Sequence, residues 1–245
     1  MSAAESGSGW QGLFVALNPG LLFAATHDLT EPLSAALMFA GLIAYLRGRR
    51  GIAAVLFALL ILSKEQFALV PAGLAAWDLL YSRRRFSDAA VLASSILPAA
   101  AWWIYARLQF GNWFLSGSWV LGTPLAGWRR TLTDAGVWSY ASGYYQFLTG
   151  EAMLPIIVPL LALLAIAGVR ALRLRTPVDV VYLLLGALVA CLAWGGTYIL
   201  RDALRNVSLL LALVPFVLVS TPLLRPAREP SADQVGSRQP PVLPL

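Results

Sequence analysis

Three side chains near the start of the chain have the types needed for acid–base or metal chemistry: His27, Asp28 and Glu31. His27 is the only histidine, and it lies with the two carboxylates between two apolar segments. Charged groups are costly to hold within a membrane, so they mark candidate functional sites there. Two carboxylates and an imidazole can bind a divalent cation such as Mg²⁺ or Mn²⁺, or take a proton as a general base. We therefore predict Glu31 and Asp28 as catalytic residues, and His27, Asp28 and Glu31 as metal ligands.

The local structure of this stretch allows a second interpretation. If residues 25–35 form a helix, the histidine and the second carboxylate lie four positions apart on one face. Pro32 is suited to the first turn of a helix that begins there. Asp28 or Thr30 would in that case only cap the helix through a side-chain oxygen. The sequence leaves the capping role and the site role open.

Basic side chains suited to phosphate lie at two other segment ends. Arg201 and Arg205 are four positions apart, with Asp202 beside them, just before the last apolar segment. The planar guanidinium group matches phosphate oxygens, so the pair predicts binding of an anionic lipid headgroup; snorkelling to the membrane interface is the alternative. Lys64 is either a further phosphate contact or the partner of Glu65 in a local ion pair. The predicted phosphate-binding residues are Arg201, Arg205 and Lys64.

The composition is that of an integral membrane protein. Hydrophobic residues make up 59% of the chain and charged residues 12%, and the mean hydropathy is +0.72. A soluble domain carries roughly 25% charged residues. The net charge of +6 does not indicate nucleic acid, because the basic residues cluster at segment ends. Sequence motifs of soluble enzymes and of ATP-driven transport are absent, and the single cysteine, Cys191, cannot form an intrachain disulfide.

We predict an all-α polytopic fold with about eight transmembrane or partly spanning helices. Residues 1–9 are expected to be a flexible N-terminus, residues 10–224 the transmembrane domain with an outer loop at 108–152, and residues 225–245 a disordered, Pro-rich cytoplasmic tail. Several segments are shorter than the roughly 20 residues of a full span. The eight apolar segments are 10–25, 32–46, 52–62, 67–81, 89–106, 153–169, 178–200 and 207–224.

The distribution of Arg and Lys predicts the topology. Counted over alternate connections, one side holds 12 of the 18 basic residues, including every tight cluster of three, and the other holds 6. By the positive-inside rule the richer side is cytoplasmic, which places both termini in the cytoplasm. The segment 27–31, Lys64, the connection 107–153 and the segment 201–205 then face outward. Their charges either rim one outer cavity or are scattered along the interface.

The outer loop is rich in aromatic residues. Such residues form a belt at the membrane interface, and flat rings also stack on sugars or prenyl chains; the sequence favours neither. A loop of this length is usually functional or disordered, and its aromatic content argues against disorder. The residues concerned are Trp113, Trp119, Trp128, Trp138, Tyr140, Tyr144 and Tyr145.

Four stretches resemble the GT-C fold glycosyltransferases that use polyprenyl-phosphate sugars, in their bacterial mannosyltransferase-like branch. Residues 16–50 resemble the family's asparagine-proline helix, acidic outer turn and Glu-Pro-Leu helix. Residues 51–74 resemble its next hairpin, where Arg-Pro often stands in place of Lys64-Glu65. Residues 102–119 resemble the aromatic helix end before the outer loop, and residues 198–219 the arginine-led final helix.

The resemblance implies an inverting sugar transfer at the outer face of a bacterial plasma membrane. A carboxylate deprotonates the acceptor hydroxyl, while cations or a metal hold the phosphate leaving group. By position, Glu31 and Asp28 match the acidic outer turn, and Arg201 or Arg205 matches the phosphate-contacting arginine. The family's first helix and first outer loop, with its principal catalytic Asp, have no counterpart before residue 10. The expected partners are a polyprenyl-phosphate sugar and membrane lipid, with no nucleic acid. A non-enzymatic membrane protein and a lipid or solute transporter are the alternatives.

Overall fold

The computed structural model describes residues 10–26, 30–82, 85–111, 121–136, 138–141, 145–174, 176–197 and 199–219. The predicted flexible N-terminus and the predicted Pro-rich tail lie outside these residues. Helices dominate the described chain, with short 3₁₀ segments at Glu65–Ala68, Ser94–Ile96 and Gly150–Met153. The α-helices are Trp10–Ala16 (α1), Pro19–Thr26 (α2), Glu31–Leu46 (α3), Arg50–Ser63 (α4), Leu69–Tyr81 (α5), Arg85–Ala93 (α6), Leu97–Phe110 (α7), Ala126–Thr133 (α8), Leu154–Ala171 (α9), Pro177–Ala190 (α10), Trp194–Thr197 (α11) and Leu200–Val219 (α12).

Three helical stretches are long and apolar enough to cross a membrane. They are Phe86–Phe110 with 25 residues, Gly150–Ala171 with 22 and Leu200–Val219 with 20. Three further apolar helices, α3, α4 and α10, have 14 to 16 residues and are shorter than a full span. Large apolar side chains on several helices are exposed, as expected where the solvent is lipid. The chain is therefore a helical membrane protein.

The core is built around α12. This helix packs against α2, α3, α9 and α10, and the run Leu209–Leu213 along its middle is buried. The helices α3 and α4 form a hairpin, as do α5 and α6, and α10 packs on α5. These contacts bring the start of α3, the end of α4 and the start of α12 to the same end of the structure.

The first predicted apolar segment is two helices rather than one, because an Asn-Pro-Gly motif begins α2. Asn18 is buried; its Oδ1 accepts hydrogen bonds from the backbone N–H of Gly20 and Leu21, and its Nδ2 donates to the Ser208 carbonyl at 2.8 Å. A Cβ at Gly20 would lie 2.3 Å from the Leu204 carbonyl oxygen. The motif therefore caps α2 and lets its backbone lie directly against α12.

The long connection between α7 and α9 contains regular structure. It includes α8 and an antiparallel hairpin of strands Trp138–Ala141 (β1) and Tyr145–Leu148 (β2). Thr149 pairs with Ile199 in an isolated bridge, so the connection contacts the chain just before α12. Trp128 of α8 is buried and donates through Nε1 to the Val189 carbonyl at 2.8 Å, so its ring is not available for stacking. For the other aromatic residues of this connection, stacking or belt formation stays a prediction.

Candidate functional site

The predicted catalytic carboxylate Glu31 lies at the first turn of α3 and is buried. Its side chain is 3% exposed, and Pro32 follows it within the first turn, as the sequence predicted. A carboxylate at a helix N-terminus is stabilised by the unpaired backbone N–H groups there. Thr30 precedes the helix, but its side chain makes no capping hydrogen bond. Burial of a charge at this depth requires compensating partners.

Two cations supply that compensation, and both approach the same oxygen. Lys64 Nζ lies 2.5 Å from Glu31 Oε1, and Arg205 Nε lies 3.3 Å from it. Lys64 has an extended backbone between α4 and the following 3₁₀ segment, so its side chain turns back toward α3. The suggested pair between Lys64 and Glu65 is therefore wrong: Lys64 pairs with Glu31, and Glu65 is exposed. One buried carboxylate ties together α3, α4 and α12.

A polar contact one turn below the ion pair holds the same two helices. Ser34 Oγ and Ser63 Oγ are 2.9 Å apart, which links α3 to α4. Each hydroxyl also lies within hydrogen-bond distance of a carbonyl in the preceding turn, Ser34 of Thr30 at 2.9 Å and Ser63 of Leu60 at 2.7 Å, and the hydroxyl that donates to the other serine does not donate to its carbonyl. The relative position of Glu31 and Lys64 is thus supported from below.

The cluster continues along the first turns of α12. Asp202 lies between two arginines: its Oδ1 is 3.3 Å from Arg201 Nε and 3.8 Å from Arg205 Nη1. The side chains of both arginines are 30% exposed and that of Lys64 is 23% exposed, whereas the Glu31 side chain is almost fully covered. The cations therefore form the accessible part of the cluster and the carboxylate of Glu31 its buried base. We call these five residues the ionic cluster.

This arrangement is suited to binding an anion. Both cations lie on Oε1, and Oε2 is buried without a hydrogen-bond partner among the described residues. One of the three ammonium donors of Lys64 suffices for Glu31, and the guanidinium group of Arg205 has five donors. These remaining donors are of the kind that binds phosphate oxygens.

The predicted metal site includes two residues outside the ionic cluster. His27 and Asp28 lie outside the described residues, so their roles stay predictions. The assumed helix over residues 25–35 is wrong, because α3 begins at Glu31 and Thr30 is in a bend. Within the described parts of the chain, no three His, Cys, Asp or Glu side chains are placed to hold a metal ion. Two cations on Oε1 also disfavour a divalent ion at Glu31.

A second buried ionic group, at the other end of α3, was missed by the sequence reasoning. Asp78 is 1% exposed; its Oδ1 accepts a hydrogen bond from the Tyr45 hydroxyl at 2.7 Å and lies 3.2 Å from Arg50 Nη2. Arg50 also lies over the Tyr45 ring, 3.7 Å from its centroid, and its Nε is 3.7 Å from Asp88 Oδ2. The available signal was a carboxylate inside the apolar segment 67–81.

An apolar groove of about 440 Å³ lies between α1, the start of α2 and α12. It contains none of the predicted site residues, so its position gives no support to an outer cavity rimmed by the predicted charges. That cavity stays a prediction. The groove is lined by Leu13, Phe14, Leu17, Asn18, Pro19 and Leu211.

The fold and the ionic cluster define the class of protein: a helical membrane protein with a buried carboxylate neutralised by Lys64, which follows α4, and by Arg205 of α12. Comparison of the chain with protein-family models, curated proteins and solved structures finds no match. What can be said of its function therefore depends on the chemistry of the ionic cluster.

Proposed function

We propose that the ionic cluster binds the phosphate of a polyprenyl-phosphate sugar and that the protein transfers this sugar to an acceptor hydroxyl. The observation that carries the proposal is the shared Glu31 oxygen, which holds Lys64 and Arg205 together with donors to spare. A phosphate leaving group gains negative charge as the bond to the sugar breaks, and fixed cations stabilise that charge. The resemblance of residues 16–50 and 198–219 to GT-C glycosyltransferases points to the same reaction.

In the proposed reaction the acceptor oxygen forms a bond to the anomeric carbon of the sugar while the bond between that carbon and the phosphate oxygen breaks. The electron pair stays on the phosphate, which Lys64 and the α12 arginines hold. The acceptor proton passes to a carboxylate, for which Asp28 is the predicted residue. Glu31 acts as a positioning residue for the cations. No step is assigned to a metal ion; the metal site of His27, Asp28 and Glu31 stays a prediction.

The proposal includes the topology and the place in the cell. About eight spanning or partly spanning helices, with both termini cytoplasmic, would place the ionic cluster at the outer face of a bacterial plasma membrane. In support, Glu31 and Tyr45 are 14 positions apart on α3, or about 21 Å along the helix. The two ionic groups at Glu31 and Asp78 therefore lie near opposite ends of one apolar helix, as they would near opposite membrane surfaces.

The test is sugar transfer by the purified full chain in liposomes. A panel of radiolabelled polyprenyl-phosphate sugars serves as donors, with a crude membrane extract as acceptor. We expect transfer from at least one donor and a loss of at least about 100-fold in the variant K64Q/R205Q, since each phosphate contact contributes on the order of 10-fold or more. The matched control R129Q removes an exposed arginine of α8 and should keep full activity.

Two further outcomes separate the roles and the alternatives. If Glu31 is a positioning residue, E31Q raises the donor KM while the pH profile of kcat keeps its shape. If Glu31 is instead the general base, E31Q removes the acidic limb of that profile. No transfer from any donor would refute the enzyme proposal and favour a non-enzymatic membrane protein. Movement of intact donor across the bilayer without transfer would favour a transporter.

A further inference from the structure

The Asn-Pro-Gly motif that begins α2 contacts the turn of α12 that carries Arg205. A Cβ at Gly20 would lie 2.3 Å from the Leu204 carbonyl oxygen and 2.8 Å from the Ser208 Cβ. Asn18 Nδ2 donates a hydrogen bond to the Ser208 carbonyl at 2.8 Å. Leu204 immediately precedes Arg205, and Ser208 follows it by three positions, so these contacts bracket Arg205 within about one helical turn.

The hydrogen bond from Asn18 specifies the position of α12 more narrowly than the apolar packing around it. Oδ1 of Asn18 accepts hydrogen bonds from the backbone N–H groups of Gly20 and Leu21, so only Nδ2 is left to face a carbonyl. Asn18 is 1% exposed, and a buried amide donor without its acceptor is costly where no water can replace it. Apolar surfaces alone gain little by association in lipid, because lipid tails are as apolar as the side chains. Asn18 therefore fixes where α12 lies along α2.

The ionic cluster needs α12 at that position. Arg205 Nε lies 3.3 Å from Glu31 Oε1, and α2 packs against both α3 and α12. Displacing α12 along its axis by one turn, about 5.4 Å, would move the backbone of Arg205 by more than the distance that now separates the two side chains. A smaller displacement would misalign the donors, and misplacing a binding group by about 1 Å can reduce a rate by about 100-fold. The geometry of the cluster thus depends on a contact outside it.

We propose that Asn18 is a positioning residue for phosphate binding, because its amide holds α12 in the register at which Arg205 reaches both Glu31 and the lipid phosphate. This inference rests on the proposed function, which assigns phosphate binding to the ionic cluster. Asn18 acts through Arg205 and needs no contact with the sugar donor.

The experiment measures binding of farnesyl phosphate, a short prenyl phosphate, to the full chain in phosphatidylcholine nanodiscs by isothermal titration calorimetry. The variant N18S keeps a side-chain oxygen that can cap α2 but removes the donor to the Ser208 carbonyl. We expect N18S to weaken binding by about 5–10-fold and R205Q by about 10-fold or more. Since Asn18 acts through Arg205, N18S/R205Q should bind as R205Q does, within about twofold.

The matched control is Y182F. Like N18S, it removes one buried donor to a backbone carbonyl of a neighbouring helix, in this case the Leu164 carbonyl at 2.8 Å from the Tyr182 hydroxyl. Because this bond joins α10 to α9, Y182F should keep the affinity of the wild type. Wild-type affinity in N18S, an equal loss in Y182F, or full multiplication of the N18S and R205Q losses would overturn the positioning role.

A second measurement separates this inference from the proposed function. In reversible unfolding of the full chain, R205M should lower stability less in the N18S background than in the wild type, because the ion pair with Glu31 is already weakened there. No binding of farnesyl phosphate to the wild type, with this coupling retained, would overturn the phosphate site while supporting the control of Arg205 by Asn18. Absence of the coupling would overturn the positioning role whatever the affinities.

Discussion

Glu31 should behave as a shared anchor, so its two cations should be strongly coupled in their effect on stability. Removing Lys64 or Arg205 alone leaves the buried carboxylate with one partner, because both lie on Oε1. Removing both leaves an uncompensated charge on a side chain that is 3% exposed. The double variant is therefore expected to cost more than the two single variants together.

The magnitudes follow from the burial of the three side chains. A hydrogen bond to a charged group is worth about 1.5–3 kcal/mol, and the partial exposure of Lys64 reduces this to about 1–2 kcal/mol for K64M. Arg205 Nε forms an ion pair with Glu31 but makes no hydrogen bond within the described residues, so R205M should cost less, about 1 kcal/mol or below. Leaving a buried charge without any compensating partner costs about 3–5 kcal/mol, and K64M/R205M should lose about this much of the free energy of unfolding. Adding E31Q removes the charge itself, so the triple variant should recover most of that loss.

The assay is reversible unfolding in mixed detergent micelles, followed by far-ultraviolet circular dichroism of the full chain. R129M, an exposed arginine of α8, serves as the matched control and should unfold like the wild type. The reasoning is refuted if the single losses add to the double loss within about 0.5 kcal/mol and if E31Q fails to stabilise the double variant. Glu31 would then not be the common partner of the two cations.

Two other predictions concern the framework that supports the ionic cluster. Replacing Gly20 by alanine should destabilise the protein by about 1–3 kcal/mol, because the new Cβ would meet the Leu204 carbonyl oxygen at 2.3 Å and the Ser208 Cβ at 2.8 Å. The control is Gly12→Ala, where nothing lies within 4 Å of the new Cβ. Equal stability of the two variants in the same unfolding assay would contradict the close contact of α2 and α12. Replacing Asp78 by alanine should lower the free energy of unfolding by about 1–3 kcal/mol, because the buried Tyr45 hydroxyl loses its acceptor and Arg50 loses its nearest carboxylate. An unfolding midpoint like that of the wild type would show that this second ionic group contributes nothing to stability.

The sequence could predict which charges share one end of the fold but not which of them meet. Hydropathy and the alternation of basic clusters placed Glu31, Lys64 and Arg205 on the same side. The pair of Glu31 and Lys64 spans 33 positions, and which cation reaches a given carboxylate depends on how α3, α4 and α12 pack. The local alternative, an ion pair of neighbouring residues, was equally open to sequence reasoning and is wrong.

Helix boundaries and buried polar groups were the other limits. Apolar composition does not reveal a break such as the one before α2, where a side chain caps one helix and bonds to another 190 positions away. The Asp78 group was missed because the candidate residues were sought between apolar segments, whereas Asp78 lies within one. The prediction that Pro32 belongs to the first turn of a helix is confirmed, since it depends only on the local backbone preference of proline.

The most direct test of the central claim uses the fact that Lys64 is the only lysine in the chain. Protein labelled with ¹⁵N at lysine Nζ gives a single ammonium signal in proteoliposomes, and its coupling to ³¹P reports the distance to lipid phosphate. With a polyprenyl-phosphate mannose as the added lipid, we predict strong dephasing that corresponds to an N···P distance of about 3.5–4 Å, and its loss in R201Q/R205Q. An ammonium signal that shows no coupling to phosphorus while the lipid is present in excess would contradict phosphate binding at the ionic cluster.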